Sequence, residues 1–299
     1  MKKILCLAHV FLLLGSIGNA NAEEIESLHG IEYCQGDDVP LLMDIAYPSD
    51  IYSREPVPAV VLIHGGSWRG GLRGGMFDKA QDLARNGYFA ATIDYRLTHY
   101  IEPQNRVDPM KAGANYLKMI QDVRCAVRHL KSAAASYHID ENRIATFGSS
   151  AGGHLATMVA VNHANWQDQN SQYQEVDSAV AAVVSWYGPQ DLKHNYLYVP
   201  FTQFYLEALL EGTLSEYPER YYAASPINHL SPDDPPILTI HGTHDETVPV
   251  EVAKAFDRAA RNHNVHHVLE IIEGGVHSLP HHREQAMERS IQFLDRILK

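Results

Sequence analysis

The stretch RIATFGSSAGGH (143–154) places two serines and a histidine among three glycines. A serine that attacks an acyl carbon has to stand exposed on a sharp strand-to-helix turn. The residues two before and two after it crowd one another there and must be small. Only Gly148-Ser149-Ser150-Ala151-Gly152 meets that spacing, because around Ser149 the same places hold Phe147 and Ala151. Ser150 is the candidate nucleophile. Such a reaction also needs N–H donors where negative charge develops on the carbonyl oxygen, each typically worth about 2.7–4 kcal/mol. Ala151 offers its backbone N–H beside the nucleophile. VLIHGGSWRGG (61–71) offers Gly65 and Gly66, whose bare backbone can approach an oxyanion closely. Ser67 stands where a fully glycine loop would carry a third glycine.

A nucleophile on such a turn predicts an acid and then a base further along the chain. THDETVP follows the apolar run PPILTIHG and offers Asp245; EGGVHSLP follows the last such run and offers His277. His277 is the expected general base, taking the Ser150 proton and returning it to the leaving group. Asp245 is expected to fix the imidazole tautomer and stabilise the imidazolium. Asp191 in YGPQDL and Glu246 are weaker rivals for the acid. Among the 18 histidines, His281 and His282 fall where the last helix opens, and His263, His266 and His267 fall around a surface turn and the start of the last strand. No H-E-x-x-H or comparable pairing implies a metal, and no cofactor is implied. His154, four residues after Ser150, is expected to brace the backbone behind the site rather than act as base.

The elements that must hold these residues alternate. PAVVLIHGG (58–66), YFAATIDY (88–95), NRIATFG (142–148), AVAAVVSWYG (179–188), PPILTIHG (235–242) and HHVLEIIEGG (266–275) are continuously apolar, as strands buried on both faces are. LLMDIAY (41–47) alternates and predicts an antiparallel edge strand. Between the runs, Tyr116, Ile120, Val123, Val127, Leu130 and Ala134 step by three and four, one stripe of an amphipathic helix; Met287, Ile291, Leu294 and Leu298 repeat the step. Strands alternating with helices predict a mostly parallel sheet covered on both faces. Residues 188–235 break the alternation and hold eight aromatic residues, Tyr196, Tyr198, Phe201, Phe204, Tyr205, Tyr217, Tyr221 and Tyr222. They predict a helical cap inserted into the single domain 23–299, its rings forming a small core of their own or lining a pocket.

The first 22 residues carry two lysines, an apolar stretch and Ala20-Asn21-Ala22, a pattern that predicts a signal peptide cleaved after Ala22 and a secreted or periplasmic protein. The formal charge of −12 disfavours nucleic acid and anionic membranes. Small neutral molecules or uncharged polymers fit better. Beyond the signal, Cys34 and Cys125 could pair in an oxidising compartment, but nothing in the sequence brings them within reach. Oligomeric state is not readable.

HGGSW, IDYRL, DVRCAVRHLKSAAASYHIDENRIATFGSSAGGHLA, YGPQDL, SPINHLSPDDPPILTIHGTHDETVPV and GGVHS resemble an α/β-hydrolase of the hormone-sensitive-lipase-like clan, most closely the bifunctional feruloyl and acetyl-xylan esterase-like family. The resemblance runs from about residue 30 to the C-terminus. It implies a cofactor-independent carboxylic ester hydrolase with Ser150, Asp245 and His277 as its triad and Gly65, Gly66 and Ala151 at the oxyanion positions. The implied substrate is a small-molecule or carbohydrate ester with a small acyl or hydroxycinnamoyl group. Ser67 and the loop 98–115 depart from the family pattern. A peptidase or amidase of the same fold, prolyl-peptidase-like or formamidase-like, is the alternative enzyme. A binding module without catalysis sits poorly with an intact serine, aspartate and histidine set.

Overall fold

The computed structural model describes residues 24–98, 114–161 and 172–299; the segment read as a signal and most of the 98–115 loop lie outside the described residues. Eight strands form one sheet: β1 (Ile25–Gly36), β2 (Val39–Pro48), β3 (Val57–Ile63), β4 (Phe89–Ile93), β5 (Ile139–Ser149), β6 (Ala182–Trp186), β7 (Ile237–Gly242) and β8 (His267–Ile272). The helices are α1 (Phe77–Ala84), α2 (Tyr116–Ser132), α3 (Ala134–Tyr137), α4 (Ala151–Val161), α5 (Leu192–Tyr198), α6 (Gln203–Leu210), α7 (Pro218–Ala223), α8 (Val250–Asn262) and α9 (Arg283–Leu298).

The spatial order is β1-β2-β4-β3-β5-β6-β7-β8, antiparallel from β1 to β4 and parallel from there on. The alternation of side chains along β3 divides the core. Ala59, Val61 and Ile63 pack with α2, α4 and α8, whereas Val60 and Leu62 pack with α1 and α9. All seven β3 residues are buried, which is why that run is continuously apolar. The chain passes from β3 to β4 on one side, then returns to place β5 on the other. Open α/β sheets bind ligands where the winding reverses in this way, at the carboxyl ends of the strands. Those ends are Ile63, followed by the Gly65–Gly66 loop, and Ser149, followed by Ser150.

The predicted edge strand at 41–47 is corrected: β2 lies inside the sheet, and β1 forms the edge. β1 faces solvent along most of its first half and shifts register between Leu28 and Ile31 and again between Glu32 and Cys34. Those shifts break the alternation by which a sequence announces a half-buried strand. The hairpin to β2 turns through Asp37 and Asp38, both left-handed, the geometry that matches strand twist in a two-residue loop.

Helix α2 starts where the Asn115 side chain accepts a hydrogen bond from the Lys118 N–H, and its predicted apolar stripe is buried. Two charge clusters anchor the loops at this end. The Arg96 guanidinium holds the buried Asp122 of α2 in a fork and also reaches Asp37. Arg73 joins Asp44 of β2 to Asp94 after β4. A disulfide links Cys34 of β1 to Cys125 of α2, with Cα atoms 6.3 Å apart, so the partly exposed edge strand is tied to a core helix. It closes a loop spanning 91 residues. Replacing both cysteines by alanine is expected to destabilise the chain by about 2–5 kcal/mol, seen as a lower urea midpoint without a change in fold. An unchanged midpoint would show that β1 contributes little to the cooperative unit.

Candidate active site

The elbow between β5 and α4 is built from backbone crowding. A side chain on Gly148 would strike the Gly152 carbonyl, and one on Gly152 would strike the Ile63 carbonyl. Only glycine allows this approach, and it drives Ser150 into the left-handed region at φ +54°. Its N–H bonds the Trp186 carbonyl at 2.9 Å, which pins the turn to the end of β6. Ser149 faces the other way, with Oγ 3.5 Å from Met76 Sδ.

Ser150 Oγ–H donates to His277 Nε2 at 3.0 Å, and His277 Nδ1–H donates to Asp245 Oδ2 at 2.8 Å. Asp245 is buried in the turn after β7, where its Oδ1 accepts the N–H groups of Thr247 and Val248 at 2.9 and 2.8 Å. Burial works to raise the Asp245 carboxyl. Hydrogen bonds from His241, His277 and the Val248 amide outweigh it and hold the carboxyl well below the usual carboxylate range. The acid therefore stays ionised at any pH where a histidine works. Tyr187, at the end of β6, packs its ring edge-on to His277 with centroids 4.9 Å apart.

Gly65 and Gly66 follow β3 directly opposite the elbow. A Cβ on Gly65 would lie 2.8 Å from the Ser149 carbonyl and 3.1 Å from Ser150 Cβ. His64 is buried against Tyr95, and its Nδ1–H donates to the Gly65 carbonyl at 2.7 Å, setting the tilt of that peptide. Ser67 and Trp68 are both left-handed, at φ +53° and +59°. The position of Ser67 demands a conformation that most side chains resist and that a third glycine would adopt freely. Ala151 opens α4 beside Ser150, where the first N–H groups of a helix have no partner within it.

Of the remaining sequence candidates, Glu246 lines the cleft beside His277 and the others lie elsewhere. Asp191 caps α5 by accepting the His194 N–H at 2.9 Å. His267 pairs with Asp257, and His263 with the Ala259 carbonyl. Of the eight aromatic residues in 188–235, Tyr221 is buried and Tyr205 lines a cavity beside Ser150, while Tyr198, Phe201, Phe204 and Tyr222 are more than half exposed. Two side chains escaped the sequence reading. His241 hydrogen-bonds the Val248 carbonyl at 2.7 Å next to Asp245, and Trp68 lines the same cavity as Tyr205. Their positions, four residues before Asp245 and two after Gly66, were the available signals.

His154 is buried within α4. Its Nε2–H donates to the Ala224 carbonyl at 2.7 Å, and its Nδ1 accepts the Trp68 indole N–H at 3.2 Å. It makes no contact with Ser150 Oγ.

The sheet order, the elbow and the serine, histidine and aspartate brought together at the reversal of winding define an α/β-hydrolase. Solved folds agree: a truncated form of carbohydrate esterase from gut microbiota superposes with a TM-score of 0.75 at 24% identity, covering 93% of this chain and 98% of that one. The BD-FAE family model matches residues 43–259, and the chain belongs to the BD-FAE family. It is 30% identical over 232 residues to Esterase LipC of Mycobacterium tuberculosis, covering 77% of this chain and 54% of that protein. It is 31% identical over 226 residues to the Probable carboxylic ester hydrolase LipM of the same organism, covering 72% and 47%. The chain spans about half the length of these curated relatives.

Burial pushes the His154 pKa down to about 4, against the raising pull of the Ala224 carbonyl. As pH falls, the unfolded chain therefore takes up this proton first. The resulting stability is intact above about 6.5 and drains away as the pH drops to about 4, a loss of up to about 3 kcal/mol. Urea unfolding of the wild type and His154→Gln should show a stability difference that narrows by about that amount between pH 7 and 4. A difference that stays constant with pH would mean that His154 is not held neutral.

Proposed function

We propose that this chain is a secreted serine carboxylesterase that hydrolyses small acyl or hydroxycinnamoyl esters, with carbohydrate esters as the natural class. The unbroken hydrogen-bond line from Ser150 Oγ through His277 to the ionised Asp245 carries the proposal. His277 Nε2 takes the Ser150 proton as Oγ attacks the ester carbon. The tetrahedral oxyanion is met by the N–H of Ala151 and those of the Gly65–Gly66 loop. His277 then returns the proton to the leaving alcohol, and a water repeats the cycle on the acyl-enzyme.

Two spaces, one lined by Ser150 and the other by His277, support a division of the substrate. A narrow cavity is bounded by the oxyanion loop through Ser67 and Trp68, by Ala151, and by Asn195, Tyr205 and Leu206 from the segment after β6. It does not include His277. A more open cleft, which shares Thr247 with the cavity, is lined by His244, Glu246, Val276 and His277. The leaving alcohol must be within reach of His277 Nε2, so it takes the open cleft, and the acyl group takes the cavity. That cavity is narrow and favours short acyl chains, whereas the more open cleft tolerates a sugar or a polymer. Export is favoured by the Cys34–Cys125 disulfide, a bond that persists in oxidising compartments, and by the reading of residues 1–22 as a signal.

Purified protein is expected to hydrolyse p-nitrophenyl acetate and to be labelled on Ser150 by a fluorophosphonate, with Ser150→Ala losing at least about 10⁴-fold in turnover. Across p-nitrophenyl esters kcat/KM should fall as the acyl chain outgrows the cavity, with acetylated xylan and methyl ferulate completing the panel. Retained turnover in Ser150→Ala would sink the assignment, and cleavage of aminoacyl amides without ester turnover would favour an amidase. Gly65→Ala is expected to keep its circular dichroism spectrum and lose about 10²-fold or more in kcat, because the new methyl displaces the oxyanion loop. A wild-type kcat there would remove Gly65 from the oxyanion site.

A further inference from the structure

The oxyanion loop carries two consecutive left-handed residues that are not glycine, Ser67 and Trp68. Each such conformation costs of order 1 kcal/mol and persists only where the surroundings over-determine it. Three contacts hold Trp68 in place. Its carbonyl accepts the Thr98 N–H at 2.9 Å. Its ring stands edge-on to the His154 imidazole, with centroids 5.3 Å apart. Its indole N–H donates to His154 Nδ1 at 3.2 Å. An indole N–H can only donate, so this last bond requires Nδ1 to be bare.

The bare Nδ1 is set from the opposite edge of the ring. The Ala224 carbonyl, just after α7 in the segment between β6 and β7, can only accept, so it keeps the proton on Nε2 at 2.7 Å. The backbone N–H of His154 meanwhile bonds the carbonyl of Ser150 at 3.1 Å, the first turn of the elbow helix. One imidazole thus joins the nucleophile's helix, the oxyanion loop and the inserted segment, and its tautomer is dictated by the last of these.

The geometry points to His154 as a positioning residue for the oxyanion hole: the Ala224 carbonyl fixes its Nε2–H tautomer, and the freed Nδ1 clamps Trp68 and so keeps the Gly65–Gly66 amides aimed at the oxyanion. This inference rests on the serine esterase reading above. It predicts that the two ring nitrogens have separable roles. Asparagine places an acceptor where Nδ1 lies and has nothing that reaches Ala224; glutamine places a donor where Nε2 lies and leaves the Trp68 N–H without an acceptor.

The test compares His154→Asn, His154→Gln, Trp68→Phe and the double variant His154→Gln/Trp68→Phe on p-nitrophenyl acetate. His154→Gln and Trp68→Phe are expected to lose about 10- to 100-fold in kcat with KM within about threefold, since an oxyanion donor acts chiefly in the transition state. The double variant should be no worse than the poorer single one, as for two ends of one bond. His154→Asn should recover most of the kcat that His154→Gln loses. In the wild type, ¹⁵N shifts of the His154 ring should report the Nε2–H tautomer at pH 7, a readout that needs no activity and no variant. Equal losses in His154→Asn and His154→Gln, additive losses in the double variant, or an Nδ1–H tautomer would each overturn the inference. Failure of the esterase reading would look different: the wild type would show no fluorophosphonate label on Ser150 and no ester turnover, whatever the tautomer.

Discussion

The site hangs on one close approach of bare backbone. Gly152, at the start of α4, lies against the carbonyl of Ile63 at the end of β3, and Gly148 lies against Gly152 itself. No side chain larger than hydrogen fits at either place. Because β3 and β5 are neighbours in the sheet, that contact brings the turn that carries Ser150 and the loop that carries Gly65 and Gly66 to the same edge at the same height. Both are strained there, Ser150 by its left-handed backbone and the loop by Ser67 and Trp68. The strain is sustained by the packing of the surrounding sheet and helices.

Charge is distributed around this centre by burial and hydrogen bonding together. Asp245 is buried yet ionised, because His241, His277 and two backbone amides supply what water would have supplied. His154 is buried and neutral, because burial disfavours its charged form and outweighs the raising pull of the Ala224 carbonyl. Two histidines therefore flank Ser150 in contrasting settings. His277 is half-open and faces a carboxylate, whereas His154 is enclosed and ties elements together. The sheet's far edge is secured differently, by the Cys34–Cys125 disulfide and by the fork of Arg96 on Asp122.

Much of this was legible in order along the chain. The central strands are buried on both faces, so their runs of valine, isoleucine and alanine could be read without knowing their neighbours. The elbow register followed from glycine spacing, and the order of Ser150, Asp245 and His277 followed from the strands they succeed. β1 was not legible, since an edge strand with two register shifts has no regular period. The disulfide was not legible either, because only the pairing of β1 beside α2 brings Cys34 near Cys125. The aromatic residues of 188–235 were read as a set, but they share no single fate: one is buried, one lines the cavity, two are half-buried, and four face solvent.

The amino-acid sequence by itself determined the winding of the sheet, the turn that bears Ser150 and the residues able to serve it. These depend on local periodicity and on backbone freedom, which are properties of neighbouring residues. Only the tertiary structure decided what His154 touches, which partners keep Asp245 ionised, and which residues line the cavity at Ser150 and the cleft at His277. Those depend on carbonyls and rings brought together across tens to hundreds of residues, such as Ala224 and Trp68 on one imidazole. No spacing along the chain encodes that meeting.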